Sequence, residues 1–477
     1  MAKKEKIKKQ KKKTILFYKI LSFILVMISV LLANIILYFE VLPLKYLIVL
    51  FIILVLIVFG ISYKLNTKTC LFTKIAMSFL AFIILFIEAI GIFYVFGTID
   101  FLNNIFDTGF RVETYNVYVL KDSPYEKLKD LKDKKISVYE SNSETYEKAV
   151  DKLQSKLNYE EVLEESITTG VSKVINKESD AIFISESLMA IYKEDYEEEY
   201  AQLRILESID ILVRTTGDFK TVDVKRKPFV VYLSGSDARG SINKVSRSDV
   251  NLLAVINPKK SKILLINTPR DYYVTLASKN AKDKLTHAGI YGIEESALTL
   301  ATLYDVDVNY YARVNFTSFV KIIDALGGIK ADSKYSFSYD GYTFRKGINS
   351  LTGASALAFS RGRKMLPEGD ISRGYNQQAV IAGIINKASS PSLLTKYNSL
   401  LNSLESGVMT NIDKNTINKL VNLQLDENIK WKIENYNAKG TGAMMTTYSA
   451  GSARLSVLEP DEESVSEIKL KIKELMN

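Results

Sequence analysis

Three long apolar runs open the chain, at 14–39 (TILFYKILSFILVMISVLLANIILYF), 42–63 (LPLKYLIVLFIILVLIVFGISY) and 74–97 (KIAMSFLAFIILFIEAIGIFYVFG). Each can cross a hydrocarbon core of about 30 Å as a helix of about 20 residues. One such run at an N-terminus also suits a cleaved export signal, but three in succession without a small-residue cleavage site predict a multi-pass anchor over 14–97. Beyond it the pattern changes. Short apolar segments, YNVYVL (115–120), KISVYE (135–140) and DAIFIS (180–185), alternate with polar helix-patterned stretches such as SETYEKAVDKLQSKL (143–157). This alternation predicts a small α/β accessory domain over 98–220.

After a polar linker, TTGDFKTVDVKRKP (215–228), the segments PFVVYLSG (228–235), SDVNLLAVINP (248–258) and SKILLINTP (261–269) are almost continuously apolar. Strands of that kind belong in a sheet covered on both faces. Helical patterns at 295–304, 317–326, 352–361 and 372–388 supply the cover, so 221–477 reads as an α/β domain with a central mixed sheet flanked by helices. A last pair, 415–425 and 464–477, is expected to close the remaining sheet edge.

Charge divides the chain along the same boundaries. Residues 1–99 carry 13 Lys+Arg against 3 Asp+Glu, residues 100–220 carry 16 against 26, and residues 221–477 carry 34 against 25. Eight lysines crowd positions 3–13, forming a basic tail over 1–13, and Lys64, Lys68 and Lys74 flank the second connection, so the positive-inside rule puts both on the cytoplasmic side. Three crossings then place everything after about residue 98 outside the cell. Glu88 in the third span is expensive in lipid and is expected to face another helix. The acidic run EDYEEEY (194–200) reads as a solvated helix face.

Ten of the thirteen arginines fall in the last block. Arginine grips phosphate through a rigid fork, so this bias points to an anionic partner. The topology puts the block on the wrong side of the membrane for nucleic acid, and none is expected. One cysteine, Cys70, and one histidine, His287, leave no disulfide framework, thiolate zinc site or Ser-His-Asp chemistry to build. There is no G-x-x-x-x-G-K-[ST] phosphate loop either. Chemistry must come from carboxylates, arginines, hydroxyls or an oxygen-ligated metal.

Those residues cluster at predicted strand ends, where α/β ligands commonly bind. SGSDARG (234–240) offers Asp237 and Arg239, RSDVN (247–251) offers Arg247 and Asp249, and NTPRD (267–271) offers Arg270 and Asp271. Two such carboxylates can hold Mg²⁺ through hard oxygens and leave places for phosphate oxygens and water. Further on, LAFSRGRKMLPEGDISRGYNQQ (357–378) sets Arg361, Arg363 and Arg373 around a loop with only Glu368 and Asp370 nearby. A diphosphate would satisfy that excess.

Taken in order, GSDARG, RSD, NTPRD, KLTHAGIYG (284–292), Gly327-Gly328, G-x-x-x-LTG-x-x-AL (347–357), SRGR and R-x-x-x-QQ (373–378) resemble the LytR-CpsA-Psr (LCP) family over most of 228–378. The resemblance implies an LCP catalytic domain that acts outside a Gram-positive cell. Its reaction would be a Mg²⁺-dependent phosphotransfer attaching a polyprenyl-pyrophosphate-linked capsular polysaccharide or related glycan to peptidoglycan. By motif match, Asp237 and Asp249 would bind Mg²⁺, and Arg247, Arg270, Arg361, Arg363, Arg373 and Gln377 would hold the pyrophosphate. Asp237, Asp249 and Arg247 would carry the chemistry, with Asp249 or Asp271 taking the acceptor proton. Implied partners are the lipid-linked polysaccharide, peptidoglycan, membrane lipid and other capsule-assembly proteins; the alternatives are lipid-pyrophosphate hydrolysis and a non-catalytic membrane regulator of capsule synthesis. The polyprenyl tail is expected in an apolar pocket between the sheet and the helix at 317–326. One departure from the family pattern is Asn376, which stands where an arginine is usual; His287 is expected to pack rather than react.

Overall fold

The computed structural model describes residues 2–38, 44–106, 110–139, 144–214, 217, 219–236, 242–390, 407–451 and 453–477. These fall into two compact units: Met1–Asn103 with Lys414–Asn428, and Asn104–Asp413 with Ile429–Asn477.

The first unit is built on three helices, Ala2–Tyr38, Leu44–Asn66 and Leu71–Phe106, which contain apolar spans at Lys12–Leu37, Tyr46–Asn66 and Leu71–Phe93. Their outward faces are apolar (Phe23, Leu56 and Phe79 are about two-thirds exposed), as a lipid-facing surface requires, around a small internal cluster that includes Leu25, Ile61, Leu65 and Ala81. Glu88 is buried and accepts a hydrogen bond from the Ser29 hydroxyl on the first helix, so the acid does face a neighbouring helix. The helix Lys414–Glu427 groups with this unit, where the Tyr46 hydroxyl donates to the Leu425 carbonyl at 3.1 Å. That corrects the expectation that 415–425 closes the sheet edge: amphipathic spacing specifies that a face will be covered, and says nothing of by what.

The second unit contains two mixed sheets. One runs in the order Glu160–Glu164, Lys135–Tyr139, Ala181–Ser185, Phe110–Leu120, Leu203–Arg214; its first three strands are parallel and the last two add antiparallel. The other has the order Val408–Thr410, Tyr310–Asn315, Phe229–Ser236, Val250–Asn257, Lys262–Asn267, Lys432–Asn437. In it the strand at 310–315 runs parallel to 229–236 and the strand at 432–437 parallel to 262–267, while the central pairs are antiparallel. Its three central strands are buried on both faces, as their unbroken apolar runs foretell. One face packs Val230, Tyr232, Leu253 and Ile266 against the helices Ile293–Tyr304 and Glu462–Met476. The opposite face meets the helices Phe316–Ala325, Gly353–Arg361 and Asp370–Ala388. The first sheet is tied to the second domain's chain at Val112, whose N–H donates to Asn243 and whose carbonyl accepts from Val245.

Candidate functional site

Sheet register brings the predicted residues to one rim. Gly235 pairs with Val250 and Leu252 with Asn267, so the end of the strand at 229–236, the start of 250–257 and the end of 262–267 lie side by side. The flanking loops are knitted by backbone hydrogen bonds: Asp249 donates to Gly235 at 2.9 Å, Thr286 to Arg270 at 2.8 Å and Ser248 to Thr286 at 3.1 Å. Asp237 falls at 237–241, outside the described residues.

Arg270 stands at the centre. Its Nη1 meets Asp249 Oδ1 at 2.9 Å, its Nε lies 3.7 Å from Asp271 Oδ2, and Lys284 Nζ approaches Asp271 from the other side at 3.5 Å. Burial works against the Arg270 cation, but Asp249, Asp271 and Glu194 outweigh it and hold its pKa above the ordinary value. Arg373 answers from the helix Asp370–Ala388. It is ion-paired with Asp370 one turn away, and its guanidinium is pushed below its ordinary value, first by burial and then by the repulsion of Arg270 and Arg363, against the attraction of Asp370 and Asp249. Arg373 is thus close enough to Arg270 and to Arg363 to be repelled by both, an arrangement whose cost an anion would relieve.

The helix reaches the rim because Gly374 lets it. A Cβ there would fall 2.2 Å from the Asn267 side-chain nitrogen. The residues after it lock the helix in place: Asn376 donates to the Phe359 carbonyl at 3.1 Å, and Gln378 donates to the carbonyls of Leu265 at 3.0 Å and Tyr436 at 2.7 Å. Asn376, at the position that departs from the family pattern, is fully buried. Gln377 is buried with its amide 3.4 Å from the Ser360 carbonyl. Arg361, at the end of Gly353–Arg361, is exposed and lies 4.8 Å over the Phe316 ring. His287 is packed, as expected, its Nδ1 bonded to Asp283 at 2.7 Å and to the Ser449 hydroxyl at 2.8 Å.

Two residues escaped sequence reasoning. Glu194, in the run EDYEEEY expected to be solvated, is ion-paired with Arg247 and stands 3.8 Å from Arg270, so a carboxylate of the accessory domain sits among the rim arginines. Arg313, in the strand Tyr310–Asn315, is completely buried, donates to Ser248 Oγ at 2.7 Å and Ser234 Oγ at 3.3 Å, and has its pKa lowered by that burial. An arginine inside the apolar strand YYARVN was the available signal for it; Glu194 had none, because its partners lie more than 50 residues further along the chain.

Beside the rim, an apolar cavity of about 200 Å³ lies between the sheet (Leu252, Val314) and the helix Phe316–Ala325 (Phe319, Ile322), closed by Leu357 and Ile384. This is the place anticipated for a lipid tail.

Asp249 offers a metal one engaged oxygen, Oδ1 on Arg270, and one, Oδ2, that accepts no hydrogen bond among the described residues. No group of three or more His, Cys, Asp or Glu converges among the described residues. The free oxygen of Asp249 could serve as one ligand of a hard cation that completes its shell with phosphate and water.

The sequence model of the LytR_cpsA_psr family matches residues 197–473. The chain is 34% identical over 273 residues to the polyisoprenyl-teichoic acid–peptidoglycan teichoic acid transferase TagU of Bacillus subtilis, spanning 57% of this chain and 84% of that protein. It is 38% identical over 189 residues to the transferase of the same name from Bacillus anthracis, spanning 39% and 62%. Among solved structures, that of B. subtilis TagU aligns with 53% of this chain and 98% of its own at 32% identity and a TM-score of 0.43.

Proposed function

The chain belongs to the LytR_cpsA_psr family, and on that premise we propose that it transfers a glycan from a polyprenyl pyrophosphate to peptidoglycan. The observation that carries this reading is the crowding of Arg270, Arg363 and Arg373 at one rim, with Arg247 beside them and an apolar cavity adjoining. A pyrophosphate with an isoprenoid tail has the chemistry to fill both.

In this reading Arg247, Arg270, Arg363 and Arg373 hold the two phosphates, Arg361 and Gln377 border them, and the tail lies in the cavity. Charge-assisted hydrogen bonds of this kind contribute about 1.5–3 kcal/mol each, and they neutralise charge that grows on the leaving phosphate. The acceptor hydroxyl oxygen bonds to the sugar-proximal phosphorus, the bridging P–O bond to the polyprenyl phosphate breaks, and polyprenyl monophosphate leaves. Asp249 or Asp271, both beside Arg270, takes the hydroxyl proton. Asp249, with Asp237, would hold Mg²⁺, which would supply further charge neutralisation at the phosphates. Arg313, buried beneath Ser248, adds positive potential to the rim without touching substrate. The positive-inside rule, applied to the lysine-rich tail and three apolar spans, supports an extracellular site.

The test uses the full chain in detergent with Mg²⁺, a polyprenyl-pyrophosphate glycan and peptidoglycan. The reading requires a covalent glycan–peptidoglycan phosphodiester and release of polyprenyl monophosphate, both lost in Arg363→Ala. Release of glycan phosphate into water without the covalent product would instead make the protein a hydrolase.

A further inference from the structure

A second cavity, of about 440 Å³, lies between the accessory sheet and the sheet that bears the arginine rim, in the same compact unit. Tyr139 and Tyr146 come to it from the accessory side, and Tyr291, Tyr448 and Lys279 from the other. The Tyr291 and Tyr448 rings stand 6.0 Å apart and inclined by 54°, and the Lys279 ammonium lies 5.3 Å over Tyr291. Glu113 lines the floor, accepting from the Tyr115 hydroxyl at 3.1 Å.

The lining says what would fit. Tyrosine presents a flat apolar face with a hydroxyl at its end, so several tyrosines around one cavity suit a ligand that is apolar on its faces and hydroxylated at its rim. A sugar ring is such a ligand. An anion would meet Glu113, Glu294 and Glu295 there, and burial pushes the Glu113 carboxyl up despite Thr145, Tyr115, Arg111 and Lys279 around it. A lipid tail would leave those polar groups without partners. The walls are also held in place: the Arg111 guanidinium crosses to Glu294 at 3.4 Å, and Gly292, at φ +119°, makes room for it, since a Cβ would fall 2.3 Å from Arg111 Nη1.

Position links this cavity to the rim. The helix Glu186–Asp195 has Leu188 at the cavity and Glu194 at Arg247, six residues or about 9 Å along its axis. A short run of sugars spans that distance.

We propose that the tyrosine-lined cavity is a saccharide subsite, taking uncharged sugars of the chain attached at, or about to be joined to, the pyrophosphate. This rests on the transfer reading for its biological ligand, and half of its wall lies in residues that precede the family match at 197. The probe is a tetrasaccharide of N-acetylglucosamine, titrated into the full chain in detergent and followed by saturation-transfer NMR. Saturable millimolar binding is expected, weakened about tenfold by Tyr448→Ala, at a side chain that is 43% exposed, and likewise by Lys279→Ala. Arg363→Ala should leave it intact, so the subsite can stand or fall apart from the transfer reading. Steady-state kinetics then separate the sources: a raised KM for the lipid-linked donor in Tyr448→Ala assigns the donor's sugars, a raised KM for peptidoglycan assigns the acceptor's. Absence of saturable binding in the wild type, or equal binding by Tyr448→Ala and Lys279→Ala, overturns the proposal.

Discussion

Replacing Glu194 with glutamine will tighten binding of a pyrophosphate. Glu194 is ion-paired with Arg247, whose side chain is 13% exposed, and stands 3.8 Å from Arg270, while Glu194 itself is 35% exposed. An incoming diphosphate brings charge of the same sign to the same two guanidinium groups, so it must displace this carboxylate. A pair of intermediate burial contributes more than the 0–1 kcal/mol of a surface pair and less than a fully buried one. Taking about 1–3 kcal/mol, removal of the charge with the shape kept lowers the Kd for farnesyl pyrophosphate by roughly 5–150-fold. The assay is titration of the full chain in detergent at two salt concentrations. Glu186→Gln is the control, since Glu186 lies on the same helix but pairs with Lys244, at 3.6 Å. Unchanged or weaker binding in Glu194→Gln would refute the reasoning, and would mean that Glu194 positions Arg247 for substrate instead of competing with it.

Arg373→Ala should lower kcat/KM for transfer by about 100-fold or more, a loss near 3 kcal/mol for one charge-assisted phosphate contact, with Tm little changed because relief of like-charge crowding offsets the lost Asp370 pair. Val314→Trp, which fills the apolar cavity, should raise KM for a long-chain donor and for a farnesyl analogue alike, because the cavity takes the first isoprenes; an unchanged KM for both would place the tail elsewhere. Glu113 has its carboxyl pKa raised by burial, so its ionisation costs stability: the folded state gains from the protonated form below the ordinary value near 4.3, and that gain is lost as pH rises through the raised value. Glu113→Gln should therefore match the wild type in Tm at about pH 4 and exceed it increasingly toward neutrality. Cys70, exposed between the second and third spans, should escape a membrane-impermeant maleimide in intact cells and react in inverted vesicles; the reverse pattern would invert the topology.

Much of the architecture was legible because it follows from local pattern. The three spans and the central strands at 229–236, 250–257 and 262–267 are each encoded by the residues that form them, and their burial on both faces is what unbroken apolar runs mean. The rim residues were legible for a related reason: Asp249 and Arg270 directly flank those strands, so placing the strands places them. What stayed hidden depends on distant pairing. Glu194 and Lys414–Glu427 have ordinary local sequences, a charged helix and an amphipathic one, whose partners are chosen by tertiary packing. The pairings of Ile329–Ser333 with Gly347–Leu351 and of Gly440–Thr446 with Arg454–Pro460 were missed as well, since these strands are short and most of their positions are partly or fully exposed.

The central claim is that the rim arginines hold the pyrophosphate of a lipid-linked glycan. A structure of the full chain with an undecaprenyl-pyrophosphate saccharide tests it most directly. The account predicts both phosphates among Arg247, Arg270, Arg363 and Arg373, Glu194 displaced from Arg247, and the first isoprenes between Leu252 and Phe319. Phosphates bound elsewhere, with Glu194 still paired to Arg247, would contradict it.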